Sequence, residues 1–241
     1  MRAVFRHELQ SYFTTPVGYV FLLMYTLLTG VVVVSVNIGQ EMSASMNLTL
    51  SAMQLPLMLI IPLLTMRLFA EEKRMRTDQL LFTVPVRCGA IVLGKMLAAM
   101  VMLALSMGLT LLYPLVLSRF AQVSPLQVLT VCLGYYLLNA SLLGIGVLLS
   151  SLCVHQVSAA VLTLGVNLTL YLCEHYVVPQ LTASYLAPLR TLLGLLPSSD
   201  RLGDFANGII SLSDVVYFLS LTGLMLFLTD RVLEYRRFAR R

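Results

Sequence analysis

The side chains of this sequence that could do chemistry by charge are concentrated in one stretch between two long apolar runs. A stretch this polar between two membrane helices has to lie in water. It offers ion pairs and hydrogen bonds, so recognition of another protein is the chemistry that it favours. We call residues 67–89 the charged segment. Its charged residues are Arg67, Glu71, Glu72, Lys73, Arg74, Arg76, Asp78 and Arg87.

The middle of the charged segment predicts a helix, because two pairs of opposite charge are spaced four residues apart and can pair along one face. An apolar edge, residues 80–82, follows, and Pro85 then ends the turn. A helix of this kind could dock onto another protein, whereas the alternative is a solvated loop that only sets the topology. The two pairs are Glu72 with Arg76 and Arg74 with Asp78.

The sequence contains no motif of the common catalytic or nucleotide-binding sites. There is no G-x-x-x-x-G-K-[ST] loop for ATP phosphates, no H-E-x-x-H and no G-x-S-x-G. The four cysteines include no C-x-x-C pair and lie in or beside apolar runs, which favours small buried residues over a metal site or disulfides. We therefore expect a chain without an enzymatic site of its own, to which energy is supplied from outside.

The composition places the chain in a lipid bilayer. Of its 241 residues 59% are hydrophobic and only 11% are charged, against about 25% charged in soluble domains. The pattern predicts one all-α polytopic membrane domain, 1–241, with six spans of a length that can cross the hydrocarbon core. The predicted spans are 17–36, 52–66, 90–115, 128–149, 157–173 and 215–229.

Three segments outside or at the ends of the spans carry further predictions. Residues 1–15 form an amphipathic pattern, which favours an interfacial helix over a frayed tail. Lys95 lies one turn inside the third span, where we expect its ammonium to reach the headgroups; a buried ion pair is the alternative. Residues 174–211 contain apolar pieces too short to cross, which fit re-entrant or interfacial helices on the external side.

The distribution of positive charge predicts the orientation. With six spans both termini share one side, and thirteen of the sixteen Lys and Arg residues fall on that side; only Arg119, Arg190 and Arg201 fall on the other. This bias predicts that both termini and the charged segment are cytoplasmic. The net charge of +5 then reflects orientation and contact with membrane lipid rather than binding of nucleic acid.

Two stretches resemble the membrane subunit of ABC-2 type transporters, in particular the gliding-motility-type permeases. Residues 8–16 are similar to the E-L-x-x-Y-F-x-x-P pattern of that family's opening helix. Residues 62–86 are similar to its P-L-L-T-M-R-x-x-x-E-E-x-x-x-G-T-x-x-L-L-x-T-x-P-V pattern. Residues 208–218 give a third, weaker match. The chain departs from the second pattern at Arg76, where the family usually has Gly.

The resemblance implies a permease without an ATPase site of its own. It implies an exporter subunit of the cell membrane that dimerises with a second copy or a related permease. It implies a separate cytoplasmic ATPase subunit that binds the ATP and Mg, and a coupling helix that inserts into that ATPase. The alternative is a non-transporting scaffold that anchors a cytoplasmic machine. The spans lack deep ionisable residues, which favours an apolar pathway and a lipid-like, amphipathic or peptide cargo. The expected docking residues are Glu71, Glu72, Arg74, Arg76, Thr77, Leu80 and Leu81.

Overall fold

The fold is all-helical in the part of the chain that the computed structural model describes, residues 2–38, 46–76, 88–117, 124–180 and 197–239. Six of its helices are long and apolar enough to cross a membrane. The chain is therefore an all-α polytopic membrane protein, and the predicted fold class is confirmed. The α-helices are α1 (Arg2–Thr14), α2 (Pro16–Val33), α3 (Met46–Thr65), α4 (Ala70–Arg74), α5 (Cys88–Thr110), α6 (Leu112–Leu117), α7 (Pro125–Leu152), α8 (Gln156–Leu172), α9 (Gly203–Ala206) and α10 (Leu212–Ala239).

Helix α7 is the centre of the bundle. Of the residues in its most apolar stretch 78% are buried, against 17% in the corresponding stretches of α8 and α10. It contacts α3, α5, α8 and α10, and it can do so because it carries small residues and no charge. A Cβ on Gly144 would lie 3.2 Å from the Cβ of Met225 in α10, so this glycine allows α7 and α10 to pack closely.

Helix α1 packs against the bundle by the face that its sequence pattern predicts. Tyr12 is buried, and Phe5 and Leu9 pack against the core. The chain then turns sharply into α2, which begins with Pro16 at its first position. At this corner a Cβ on Gly18 would lie 2.3 Å from the carbonyl oxygen of Tyr12, so only glycine fits there.

Several boundaries differ from the predicted ones. Helix α10 continues to Ala239, beyond the predicted end of the sixth span at residue 229, because the residues that follow include no Gly or Pro. The predicted third span is divided into α5 and α6 at Leu111. Helix α3 is continuous through both Pro56 and Pro62.

The predicted external segment contains short helices in its described part, as expected. A π-helical turn (Cys173–Val177) and two 3₁₀ turns (Val178–Gln180 and Ser199–Leu202) precede α9. Leu202 and Phe205 are buried against α7, and Arg201 pairs with Asp214 at 3.5 Å. The apolar piece predicted at residues 189–196 lies outside the described residues.

Candidate functional site

One end of the bundle gathers most of the charged side chains of the described residues, and we call it the α4 end. Helix α4, the N-terminal helix α1, the turn between α7 and α8, and the end of α10 all lie there. The Arg236 guanidinium donates to the Leu152 carbonyl at 3.0 Å, which joins α10 to the end of α7. Because successive spans cross the membrane in opposite directions, the order of the spans predicts that these four segments lie at the same end of the bundle.

Helix α4 is much shorter than the predicted helix. It covers five residues, Ala70–Arg74, and the backbone of Arg76 has a φ of 57°, in the left-handed region that favours glycine. The helix therefore cannot continue, and the predicted pair of Glu72 with Arg76 is replaced by a pair of Glu72 with Lys95. Arg76 is the position at which the resembling family usually has Gly.

Lys95 of α5 lies at the centre of the α4 end and is only 1% exposed. Its ammonium donates to Glu8 of α1 and, at 2.7 Å, to Glu72 of α4. It also lies 5.2 Å from the centre of the Phe69 ring. The expectation that Lys95 reaches the headgroups is therefore wrong. Two carboxylates surround the ammonium, and their attraction offsets the cost of removing it from water.

Arg67 makes a second connection between α1 and α4. Its guanidinium binds the Glu71 carboxylate through two nitrogens, at 2.6 and 2.9 Å. A third nitrogen donates to the Thr15 hydroxyl at 2.9 Å, at the junction of α1 and α2. This bidentate geometry fixes the side chain more strongly than a single contact would.

The α1–α4 contact encloses a cavity of about 200 Å³. The Tyr12 hydroxyl, at its wall, donates to the Leu64 carbonyl at 2.7 Å, and burial raises the pKa of this phenol, so it stays protonated. Three carboxylates and two cations line the space, so it is locally acidic. The lining residues are His7, Glu8, Ser11, Tyr12, Arg67, Leu68, Glu71, Glu72 and Lys95.

The last turn of α7 and the residues that follow it contact α4 from the other side. The Ser150 hydroxyl oxygen accepts from the backbone N–H groups of Phe69 and Ala70, at 3.2 and 3.3 Å, and so satisfies donors at the start of α4. The Lys73 ammonium donates to the carbonyls of Ser151 and Cys153, the latter at 3.1 Å. Helix α4 is thus connected to α1, α5 and α7.

The predicted docking residues separate into an inner and an outer group. Glu71 and Glu72 point inward and are paired within the chain. Arg74 and Arg76 are exposed, and between them Met75, which was not predicted, is 68% exposed. We call Arg74, Met75 and Arg76 the α4 tip. The remaining predicted docking residues, Thr77, Leu80 and Leu81, lie outside the described part of the chain. So does Asp78, the predicted partner of Arg74.

Sequence reasoning missed Glu8, Thr15 and Ser150 as members of this site. The one signal for it was Lys95, a lone cation in an apolar helix, which requires a counter-charge when buried. Nothing in the spacing indicates that the counter-charge comes from residues as distant in sequence as Glu8.

No model of a known protein family matches this chain. No curated protein matches its sequence either.

Proposed function

We propose that this chain is the membrane-spanning permease subunit of an ATP-binding cassette transporter, an exporter energised by a separate ATPase. The observation that carries the proposal is the construction of α4. Its inner side chains bind Arg67, Lys95 and a carbonyl after the end of α7. Arg67 and Lys95 in turn connect α4 to Thr15 and Glu8, whereas the α4 tip is exposed. A short helix that is bonded to the bundle on one side and exposed on the other can be displaced by a partner protein and can transmit that displacement to the spans.

The pairing explains how a displacement of α4 would reach the spans. Separating Lys95 from Glu8 or Glu72 would leave an unpaired ion in a buried position, which is strongly unfavourable. Helix α4 therefore moves together with α1 and α5 rather than bending alone. Motion of these helices relative to α7, which would break the hydrogen bonds of α4 to Ser150, Ser151 and Cys153, is the step that would reorient the bundle.

The α4 tip also indicates the chemistry of the partner surface. Met75 is a flexible apolar side chain between two arginines, so it suits an apolar hollow with an acidic rim. We assign this surface to the cytoplasmic ATPase subunit, which would bind the ATP and Mg. The bias of positive residues toward this end supports a cytoplasmic location for it and for both termini, in the cell membrane.

Exposed apolar faces support an assembly in the membrane. Only 17% of the residues in the most apolar stretch of α8, and 17% in that of α10, are buried, so most of the residues of these stretches face membrane lipid or another subunit. We propose a second permease copy, or a related permease, as that subunit. Two copies would place two α4 tips at the same side of the membrane for two ATPase subunits.

The test compares two Asp substitutions, each at an exposed apolar residue, one at the α4 end of the bundle and one at the opposite end. Each variant is purified in mild detergent from membranes of its source cells, and ATP hydrolysis in the purified sample is measured. We expect M75D to lose ATPase activity that copurifies with the wild-type chain, because an added carboxylate opposes an acidic rim. The matched control is I210D, whose site is 58% exposed and which should retain the activity.

Two results would contradict the proposal: no ATPase copurifies with the wild-type chain, or M75D and I210D retain it equally. A scaffold would also retain a docked ATPase, so vesicle transport decides between the two functions. A permease moves cargo only when ATP is present, whereas a scaffold moves none.

A further inference from the structure

Three carboxamide side chains are buried deep in the spans with hydrogen-bonding groups unused. Gln54 of α3 is 3% exposed, Asn139 of α7 is 2% exposed and Asn167 of α8 is 0% exposed. Among the described residues, neither polar atom of Gln54 or Asn167 has a hydrogen-bond partner, nor has the Oδ1 atom of Asn139. The Asn139 nitrogen donates to the Tyr135 carbonyl of its own helix at 2.7 Å.

Gln54 and Asn139 lie within about one helical turn of the same depth on facing helices. Helices α3 and α7 run in the same direction, since the side chain of Ser51 interacts with that of Tyr135 and Thr65 contacts Gly146. Gln54 is three residues beyond Ser51, and Asn139 is four residues beyond Tyr135. Both steps return to the same helix face, so the two amides are directed toward the same contact.

Asn167 reaches this level from the third helix. In α8 the only buried residues are Ala159, Thr163 and Asn167, which form one stripe with a spacing of four, and α8 contacts α3 and α7. Asn167 is eleven residues from the start of α8, a rise of about 16 Å, and Asn139 is thirteen from the end of α7, about 20 Å. The three amides therefore lie within about one turn of each other along the bundle, near the middle of a bilayer of about 30 Å.

Unpaired amides at this depth destabilise the packed contact between α3, α7 and α8. A buried polar atom without a partner destabilises the state that buries it, and lipid offers no replacement partner. Simple packing of α3, α7 and α8 would be better served by apolar residues of the same size. The polar atoms gain partners only if the contact opens to water or to a ligand.

We propose that the α3–α7–α8 contact is the closed form of a hydrogen-bonding passage, which takes a neutral hydroxyl- or amide-bearing group. This proposal rests on the proposed transport function, and it replaces the expected apolar pathway with a partly polar one. A neutral ligand is specified because α3, α7 and α8 contain no Asp, Glu, Lys or Arg. A charged ligand at this depth would find no counter-charge.

The test measures access to the three positions with thiol reagents of different charge. The native cysteines Cys88, Cys132, Cys153 and Cys173 are replaced by Ala, and Q54C, N139C and N167C are introduced singly into the full chain. Membranes of the source cells are treated, with and without ATP, with three methanethiosulfonates. These carry a neutral hydroxyethyl, a cationic trimethylammonium-ethyl or an anionic sulfonatoethyl group, and each rate is divided by the rate for free cysteine.

A99C is the matched control. Ala99 is 0% exposed and is eleven residues from the start of α5, at a similar depth to Asn167 but on a helix outside this contact. We expect the hydroxyethyl reagent to modify at least two of the three test positions about ten-fold faster than A99C. It should also react faster than either charged reagent. Three positions are used so that a variant that fails to fold does not decide the result.

Equal reaction at A99C and at the folded test positions, with and without ATP, would overturn the proposal, and so would charged reagents that react as fast as the neutral one. The ATPase measurement on M75D is independent of this result. If the ATPase couples through the α4 tip and the three positions stay unreactive, only the passage is wrong. If the positions react and no ATPase copurifies, the transport function fails and the opening of the contact stands.

Discussion

Replacement of Lys95 by Met is the sharpest perturbation of the α4 end. The substitution keeps the length and apolar stem of the side chain and removes only the ammonium. Glu8 and Glu72, whose side chains are 15% and 25% exposed, then lose the Lys95 ammonium that binds both of them. Two largely buried carboxylates lose this shared partner, and they also repel each other.

The expected loss of stability is large. Removal of one partner from a buried ion pair costs about 3–5 kcal/mol. For a chain of this size each kcal/mol corresponds to roughly 2–4 °C in Tm, so K95M should unfold roughly 6–20 °C below the wild type. The triple variant of E8Q, E72Q and K95M removes both carboxylates together with the ammonium. It should therefore recover most of this loss of stability.

The assay is thermal unfolding of the detergent-solubilised chain, followed by circular dichroism at fixed pH and salt. R231M is the control, since Arg231 and Glu234 form an ion pair at the same end with Arg231 60% exposed. Such exposed pairs contribute about 0–1 kcal/mol. A K95M shift no larger than that of R231M, or a triple variant no more stable than K95M, would refute the buried ion-pair cluster.

Three further predictions concern other features of the fold. R76G should raise stability by about 1 kcal/mol, because glycine adopts the observed φ of 57° without strain; R76A should not, and equal effects of the two would contradict this. S150A should lower stability by about 1–3 kcal/mol, since it leaves two backbone donors at the start of α4 without their acceptor, whereas S158A on the exposed side of α8 should be nearly neutral. Q54M and N167L should each raise the Tm, because they remove unpaired polar atoms from the core; a lower Tm for both would indicate that the amides are paired.

Much of the architecture could be predicted from the sequence. The lengths of the apolar runs give the six spans, and the polar turn at residues 150–156 separates α7 from α8 where the structure does. These features are local, because span length and turn composition do not depend on which helices become neighbours. The small face at Gly144 was also predictable, since close helix contact in lipid requires small residues.

The connections of the α4 end could not be predicted in the same way. The charges of Glu72 and Arg76 are spaced as in a continuous helix, but the backbone turns at Arg76 and Glu72 pairs with Lys95 instead. The partner of a charge depends on tertiary distance, and α1, α4 and α5 are far apart in sequence. Likewise, the amides of Gln54, Asn139 and Asn167 become conspicuous only when the packing shows them buried.

A photo-cross-linking residue in place of Met75 reports whether the α4 tip contacts an ATP-driven partner in the membrane. The cross-linker is incorporated into the full chain in its source cells, activated by light, and the attached polypeptide is identified by mass spectrometry. We expect a cytoplasmic ATPase with a nucleotide-binding loop, and no such product from the same residue placed at Ile210. Attachment only to lipid, to another copy of this chain or to a protein of the exterior would contradict the assignment of α4 as the point where energy enters.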